Sequence, residues 1–162
     1  MERILNIYTN FAKSIDDEIE TEFDNDWQCD TEEKIIYIPL IESEEECEKF
    51  INNFKKQWQQ KNKKIKLFFA PQTISFLHEI GHTQTKQGDI ISKILRKISN
   101  FLCKHKTTKK LSYKIYYNIP EEKRATQWAI EFIMNNYNNI VLFNSELENK
   151  YFEMYEKILK EN

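Results

Sequence analysis

The chain has 162 residues, of which 40% are hydrophobic and 14% aromatic, so it can form one domain with a core that needs no disulfide or metal to fold. Its two glycines and three prolines argue against a β-sandwich or barrel with many turns, and no apolar run reaches the ~18 residues of a membrane span. The net charge is −2, but the charges are unevenly distributed. Residues 1–48 carry 16 acidic and 3 basic side chains, whereas residues 49–162 carry 10 acidic and 21 basic ones. The two parts are therefore expected to attract each other or a partner.

The first part of the chain is predicted to contain two helices and a strand. Apolar residues at helical spacing predict an amphipathic helix over residues 2–20, followed by an acidic loop over 21–33. Residues 34–40 are β-branched and aromatic and predict a short strand, with Pro39 at a sheet edge or at the strand end. A capping box then opens a helix over residues 44–60.

The remainder is predicted to be mostly helical. Residues 64–70 are predicted to form a strand that leads into the next helix, and the alternation over 111–117 indicates a third strand or a structured loop. Four further helices are predicted over residues 73–86, 90–102, 120–133 and 145–160. The expected fold is therefore α+β: a single, mostly helical domain with an about three-stranded sheet, a core over residues 34–135 and an insertion at 89–118.

One motif in the helix over residues 73–86 carries a recognisable chemistry. In His78-Glu79-Ile80-Gly81-His82, two imidazoles lie one helical turn apart, so both can reach one tetrahedral zinc ion. Glu79 is predicted to be the general base that accepts a proton from the zinc-bound water. Gly81 costs a helix ~1 kcal/mol relative to alanine, which predicts close approach of a strand or a substrate backbone at that position.

A catalytic zinc usually has three protein ligands, and the residues alone leave the third open. His105 is the only other histidine, but it lies in a lysine-rich segment where like charges disfavour a metal. Carboxylates on the helix that begins at Pro120 are better placed, and Glu121, Glu122 and Glu131 all qualify.

Two segments carry a family resemblance. The motif helix reads Phe76-Leu77-His78-Glu79-Ile80-Gly81-His82, and the later helix reads Glu122-Lys123-Arg124-Ala125-Thr126-Gln127-Trp128-Ala129-Ile130-Glu131-Phe132-Ile133-Met134. Over residues 64–135 this resembles the ImmA/IrrE family of zinc metallo-endopeptidases, in which an HExGH helix is followed by a helix of the form E-x-x-A-N/D-x-F-A-x-x-L-L-M-P. The resemblance implies a small α+β zincin domain, one Zn²⁺ per chain with Glu122 as third ligand, and an intracellular peptidase that cleaves a partner repressor of a phage, mobile element or stress response.

The chain departs from that pattern in three places. Thr126 stands where the family has Asn or Asp, Asn135 replaces a closing proline, and the 39-residue gap between His82 and Glu122 is long because of the insertion. Glu121 therefore stays open as an alternative ligand.

The function predicted from the sequence is zinc-dependent hydrolysis of peptide bonds in a specific intracellular protein, and the chain itself is expected to be cytoplasmic. A tyrosine, Tyr113, Tyr116 or Tyr117, is expected to stabilise the oxyanion. The alternative is a catalytically inactive zincin-fold protein that binds a regulator or nucleic acid, which the charge division and the departure at Thr126 motivate. The lysines are more commonly explained as a solvated surface, so direct nucleic-acid binding and a membrane partner are not expected. The three widely spaced cysteines are predicted to be reduced.

Overall fold

The computed structural model describes residues 2–39, 44–62, 67–105 and 107–161. Within these ranges the chain forms seven helices and a three-stranded mixed sheet, which confirms the expected mostly helical α+β class. In chain order the elements are α1 (Glu2–Lys13), β1 (Glu20–Asp24), β2 (Gln28–Asp30), β3 (Ile35–Pro39), α2 (Glu44–Lys61), α3 (Pro71–Gln84), α4 (Ile90–Cys103), α5 (Lys109–Tyr116), α6 (Pro120–Asn135) and α7 (Tyr137–Glu161). None of the helices in the described ranges combines the length and the apolar character needed to cross a bilayer.

The sheet is built around the strand that the sequence predicts. Strand β3 is central, pairing in parallel with β1 and antiparallel with β2. It buries Ile36 and Ile38 completely, and Pro39 lies at its end, as expected, but not at a sheet edge. Helices α2, α3, α4 and α6 follow the predicted boundaries closely, whereas α7 begins at Tyr137, earlier than expected.

Several predicted elements are wrong. Helix α1 ends at Lys13 because a turn follows, in which Ser14 donates to the Phe11 carbonyl and the Asp16 carboxylate accepts from the Glu18 N–H. The expected acidic loop over 21–33 contains β1 and β2; the acidic side chains of β1 are exposed, and Asp30 of β2 is half-buried.

Two other predicted strands are absent from the sheet. Residues 67–70 form no strand, and residues 63–66 of that prediction lie outside the described residues. The segment 111–117 is largely helical, because α5 packs on α4 through the buried pair Ser99 and Ser112, whose hydroxyl oxygens lie 3.1 Å apart.

Helix α3 is the centre of the molecule. Every residue from Thr73 to His82 is buried, and the ring of Phe76 packs edge-on against Tyr8 of α1 with centroids 4.6 Å apart. Helix α6 crosses α3 at Gly81, where a Cβ atom would lie only 2.5 Å from the carbonyl oxygen of Ala125. The expected close approach at Gly81 is therefore that of a helix backbone, not of a strand or substrate.

Candidate metal centre

The two motif histidines lie on the face of α3 that meets α6. Both side chains are buried, and their Nε2 atoms lie 3.2 Å apart. The ring of Phe50, from α2, packs against His78 with centroids 4.9 Å apart. The i, i+4 spacing thus places two imidazole nitrogens side by side in a site that excludes most water.

Glu122, in the first turn of α6, completes a triangle with these nitrogens. Its Oε2 atom lies 3.2 Å from Nε2 of His78 and 3.4 Å from Nε2 of His82. Zinc bonds of about 2.0–2.1 Å in tetrahedral geometry require ligand atoms about 3.3–3.4 Å apart. The three atoms are therefore spaced as three corners of a zinc tetrahedron.

The electrostatics of the triangle favour a positive charge at its centre. Burial opposes ionisation of Glu122, but hydrogen bonds with His78 and His82 outweigh it and lower the pKa of this carboxyl well below its usual range. Burial also opposes protonation of His82, yet its contacts with Glu122 and Glu79 raise its pKa. A divalent cation would satisfy the same three ligand atoms at once.

A hydroxyl on α6 orients one of the imidazoles. Thr126 Oγ1 lies 3.2 Å from Nδ1 of His78 and is placed to accept the Nδ1 proton, which leaves the Nε2 lone pair directed at the triangle. Thr126 thus supplies a hydrogen-bond partner for His78.

Arg96 of α4 holds the outer oxygen of Glu122. Its Nη2 atom donates to Oε1 of Glu122 at 2.9 Å and to Oε2 of Glu121 at 3.1 Å. With Oε1 occupied, Glu122 presents the single oxygen Oε2 to the histidines. Arg96 was not among the site residues predicted from the sequence. Its signal is that it is the only arginine in the lysine-rich insertion, and a guanidinium is better suited than an ammonium to bridge two carboxylates.

The other candidate ligands lie elsewhere. Glu121 accepts a hydrogen bond from the Gly88 N–H at 2.6 Å, in addition to the one from Arg96, so it joins α6 to the loop before α4. Glu131 forms an ion pair with Lys61 of α2, at 2.9 Å, and His105 is exposed beyond the end of α4. Of the residues that the sequence left as candidates for the third ligand, Glu122 is the one whose carboxylate lies beside the two histidines.

Glu79 lies close to both histidines. One of its carboxylate oxygens is within 4.8 Å of a ring nitrogen of each, and the side chain lines the adjacent cavity. Burial raises the pKa of Glu79, against the opposing effect of His82 and His78. A buried carboxylate with a raised pKa next to a metal site is suited to general-base catalysis.

A cavity of about 320 Å³ opens onto His78 and Glu79. Its walls come from the loop before β2, the end of β3, and helices α2, α4 and α5. The aromatic side chains that line it are Trp27, Phe50, Tyr113, Tyr116 and Tyr117. All three tyrosines that the sequence proposed for oxyanion stabilisation therefore face the cavity.

Tyr116 is distinguished among these tyrosines by its surroundings. Burial, together with the charges of Glu122 and Glu79, raises the pKa of Tyr116 well above its usual value. The phenol thus stays protonated and can donate. Tyr113 instead lies under the ammonium group of Lys49, which is 4.3 Å from the ring centroid.

Comparisons of this chain with protein-family models, curated proteins and solved structures give no match. The function of the site is therefore inferred from its own geometry and chemistry.

Proposed function

We propose that the protein is a zinc-dependent metallo-endopeptidase whose metal ligands are His78, His82 and Glu122. The observation that carries this proposal is the triangle of ligand atoms with sides of 3.2, 3.2 and 3.4 Å, which fits a tetrahedral zinc and leaves the fourth corner for water or substrate. The resemblance of both helices to the ImmA/IrrE pattern supports the same activity.

The residues around the triangle divide the chemistry among them. A zinc ion held by His78, His82 and Glu122 would supply a Lewis acid and would lower the pKa of water at the site. Glu79 takes the proton of the attacking water and passes it to the leaving amine, because its raised pKa favours both steps. Tyr116 lines the cavity and keeps its phenol proton, so it is the donor to the oxygen on which negative charge develops.

The cavity supports a peptide as the substrate. Aromatic side chains on three sides of it favour an apolar side chain next to the scissile bond. Strand β2 forms one edge of the sheet and packs against α3, so an extended chain can add to it by main-chain hydrogen bonds. We expect the natural substrate to be a specific protein, and the family resemblance implies a transcriptional repressor.

Zinc content measured by elemental mass spectrometry tests the site. The parent protein is expected to hold about one zinc per chain, which His78→Ala and Glu122→Ala lose. His105→Ala and Glu131→Gln are the matched controls, since both residues lie away from the triangle, and they are expected to retain the metal. A parent protein that stays metal-free after reconstitution with zinc would contradict the proposal.

Glu79→Gln tests the chemistry separately from metal binding. It is expected to keep zinc and lose hydrolysis of a protein substrate, because the amide cannot accept the proton. Cleavage that survives this substitution would rule out the mechanism. Salt-sensitive DNA binding by a zinc-loaded protein that cleaves nothing would favour the binding-protein alternative.

A further inference from the structure

Helix α4 has its apolar side turned toward solvent. Its buried side chains are Ser92 and Ser99, both polar. Five large apolar side chains form what we call the apolar ridge: Ile90 (75% exposed), Ile91 (62%), Ile94 (52%), Ile98 (42%) and Phe101 (65%). Apolar residues at this spacing would ordinarily face a protein core.

The polar contacts of α4 hold the helix in this orientation. The Ser92 hydroxyl accepts from the Glu121 N–H of α6 at 3.3 Å, the Ser99 hydroxyl is hydrogen-bonded to Ser112 of α5, and Arg96 donates to Glu121 and Glu122. Rotating the helix to bury the apolar ridge would break all of these hydrogen bonds and remove Arg96 from the metal ligand. The exposure of the apolar ridge is therefore a consequence of how the site is built.

The surroundings of the apolar ridge are strongly basic. Residues 90–120 contain eight Lys and Arg side chains and no Asp or Glu. Lys93 and Lys97 are exposed on α4, and at 100° per residue Lys97 adjoins the apolar ridge next to Ile90 and Phe101. Any surface that covers this face must be apolar in its interior and negatively charged at its border.

We propose that the apolar ridge of α4 binds an anionic lipid surface, with its side chains inserted among the headgroups and the flanking lysines paired with lipid phosphates. Interfacial helices combine an apolar face with lysine-rich borders in this way, and each basic side chain near an anionic surface adds about 1 kcal/mol of attraction. Such a helix lies on the membrane and needs no spanning segment. This proposal revises the expectation of no membrane partner and does not depend on the proposed peptidase activity.

The other occupants fit the observations less well. Two copies related by a two-fold axis would bring one basic segment against another, which like-charge repulsion disfavours. Nucleic acid would use the lysines but not the isoleucines, which offer no stacking surface for bases. A protein partner would need an acidic groove shaped to receive a projecting ridge, whereas lipid adapts to the ridge.

Vesicle flotation with the full chain tests the proposal. Vesicles of phosphatidylcholine containing phosphatidylglycerol are expected to carry the protein at low salt and to release much of it at high salt, and vesicles of phosphatidylcholine alone are expected to bind little. No binding to the anionic vesicles at low salt would overturn the proposal. Equal binding to both vesicle types would also overturn it, because the lysines would then have no role.

Two pairs of variants separate the apolar contribution from the charge. Ile94→Asn with Phe101→Asn is expected to weaken vesicle binding at least about tenfold. Its matched control is Leu142→Asn with Phe152→Asn, two α7 residues exposed by 70% and 65%, which is expected to bind as the parent does. Retained binding by the α4 variant would show adsorption by charge alone and would overturn insertion of the ridge.

The charge pair is Lys93→Glu with Lys97→Glu, matched by Lys55→Glu with Lys56→Glu on the exposed side of α2. Binding is expected to fail in the first pair and to persist in the second. An equal loss of vesicle binding in both pairs would mean that the net charge of the protein, and not α4, attracts it to the vesicles. A dimer that Phe101→Asn dissociates, with no vesicle binding by the parent, would assign the ridge to a second copy instead.

Discussion

Replacing Gly81 by alanine is expected to separate α3 from α6 and disable the metal site. The new Cβ atom would lie 2.5 Å from the carbonyl oxygen of Ala125 and 2.9 Å from its Cα atom. Ordinary van der Waals contact begins near 3.4 Å, so the two backbones must move apart by about 0.9 Å. Neither contact is with a flexible side chain that can turn away.

The effect on zinc binding is expected to be larger than the effect on stability. Overpacking costs about 1–3 kcal/mol, but alanine recovers about 1 kcal/mol of helix propensity, so the net loss of unfolding free energy is at most about 2 kcal/mol. Glu122 lies one turn before Ala125 on the displaced helix, and its Oε2 atom would move to about 4 Å from the histidine nitrogens. A ligand displaced that far is expected to lower zinc affinity at least about 100-fold.

Competition titration with a chromophoric zinc chelator measures the affinity, and thermal unfolding of the metal-free protein measures the stability. Gly88→Ala is the control, because Gly88 has a φ of 81° and no atom near the Cβ position. It is expected to lose about 1–2 kcal/mol from strained backbone while keeping most of the zinc affinity. Zinc affinity of Gly81→Ala within about threefold of the parent, a difference under about 1 kcal/mol, would refute the reasoning that the helix crossing positions Glu122.

Three further predictions concern the partners of the site and of α4. Arg96→Gln is expected to lower zinc affinity about 10–100-fold by releasing Oε1 of Glu122, and the same chelator titration would contradict this if the affinity were unchanged. Thr126→Val removes the acceptor for the Nδ1 proton of His78 and is expected to weaken zinc about tenfold by that assay, with little change in the metal-free melting temperature. Hydrogen bonds from Arg124 and Ser92 lower the pKa of Asp89 to about 2 from 3.8, so its stabilising effect is present above 3.8 and is lost as the pH falls toward 2. The melting-temperature difference between the parent and Asp89→Asn should therefore shrink across that range, and a constant difference would argue against an ionised Asp89 as its source.

The parts of the site that depend on local geometry were predictable from the sequence. His78 and His82 share a helix face by spacing alone, and Gly81 signalled a close approach. The identity of the approaching group was not predictable, because Ala125 is more than forty residues away and meets Gly81 only through the crossing of two helices. The choice of Glu122 over Glu121 depends on the same crossing, which turns one carboxylate to the histidines and the other to Gly88.

The wrong predictions share a physical cause. In β1, Thr21 and Phe23 alternate with exposed acids, but such a short pattern becomes a strand only when β3 is beside it. The strand or loop predicted from the alternation over residues 111–117 was wrong because Ser112 is buried against Ser99. A hydropathy pattern does not register such a polar contact. Periodicity correctly predicted α4 as an amphipathic helix, but it carries no information about which side faces the core.

Helix α4 is a rod about 10–12 Å across, with the Arg96 guanidinium bonded to Glu122 on one side and the apolar ridge on its outer surface. A force that tilts the rod from outside stretches the hydrogen bond between Arg96 and Glu122. If the proposed zinc site and the proposed surface on α4 are both occupied, a partner that prefers one tilt would change the affinity for zinc, and zinc would change the affinity for that partner by the same factor. Binding at the outer surface of α4 and metal binding at Oε2 of Glu122 would then be energetically coupled.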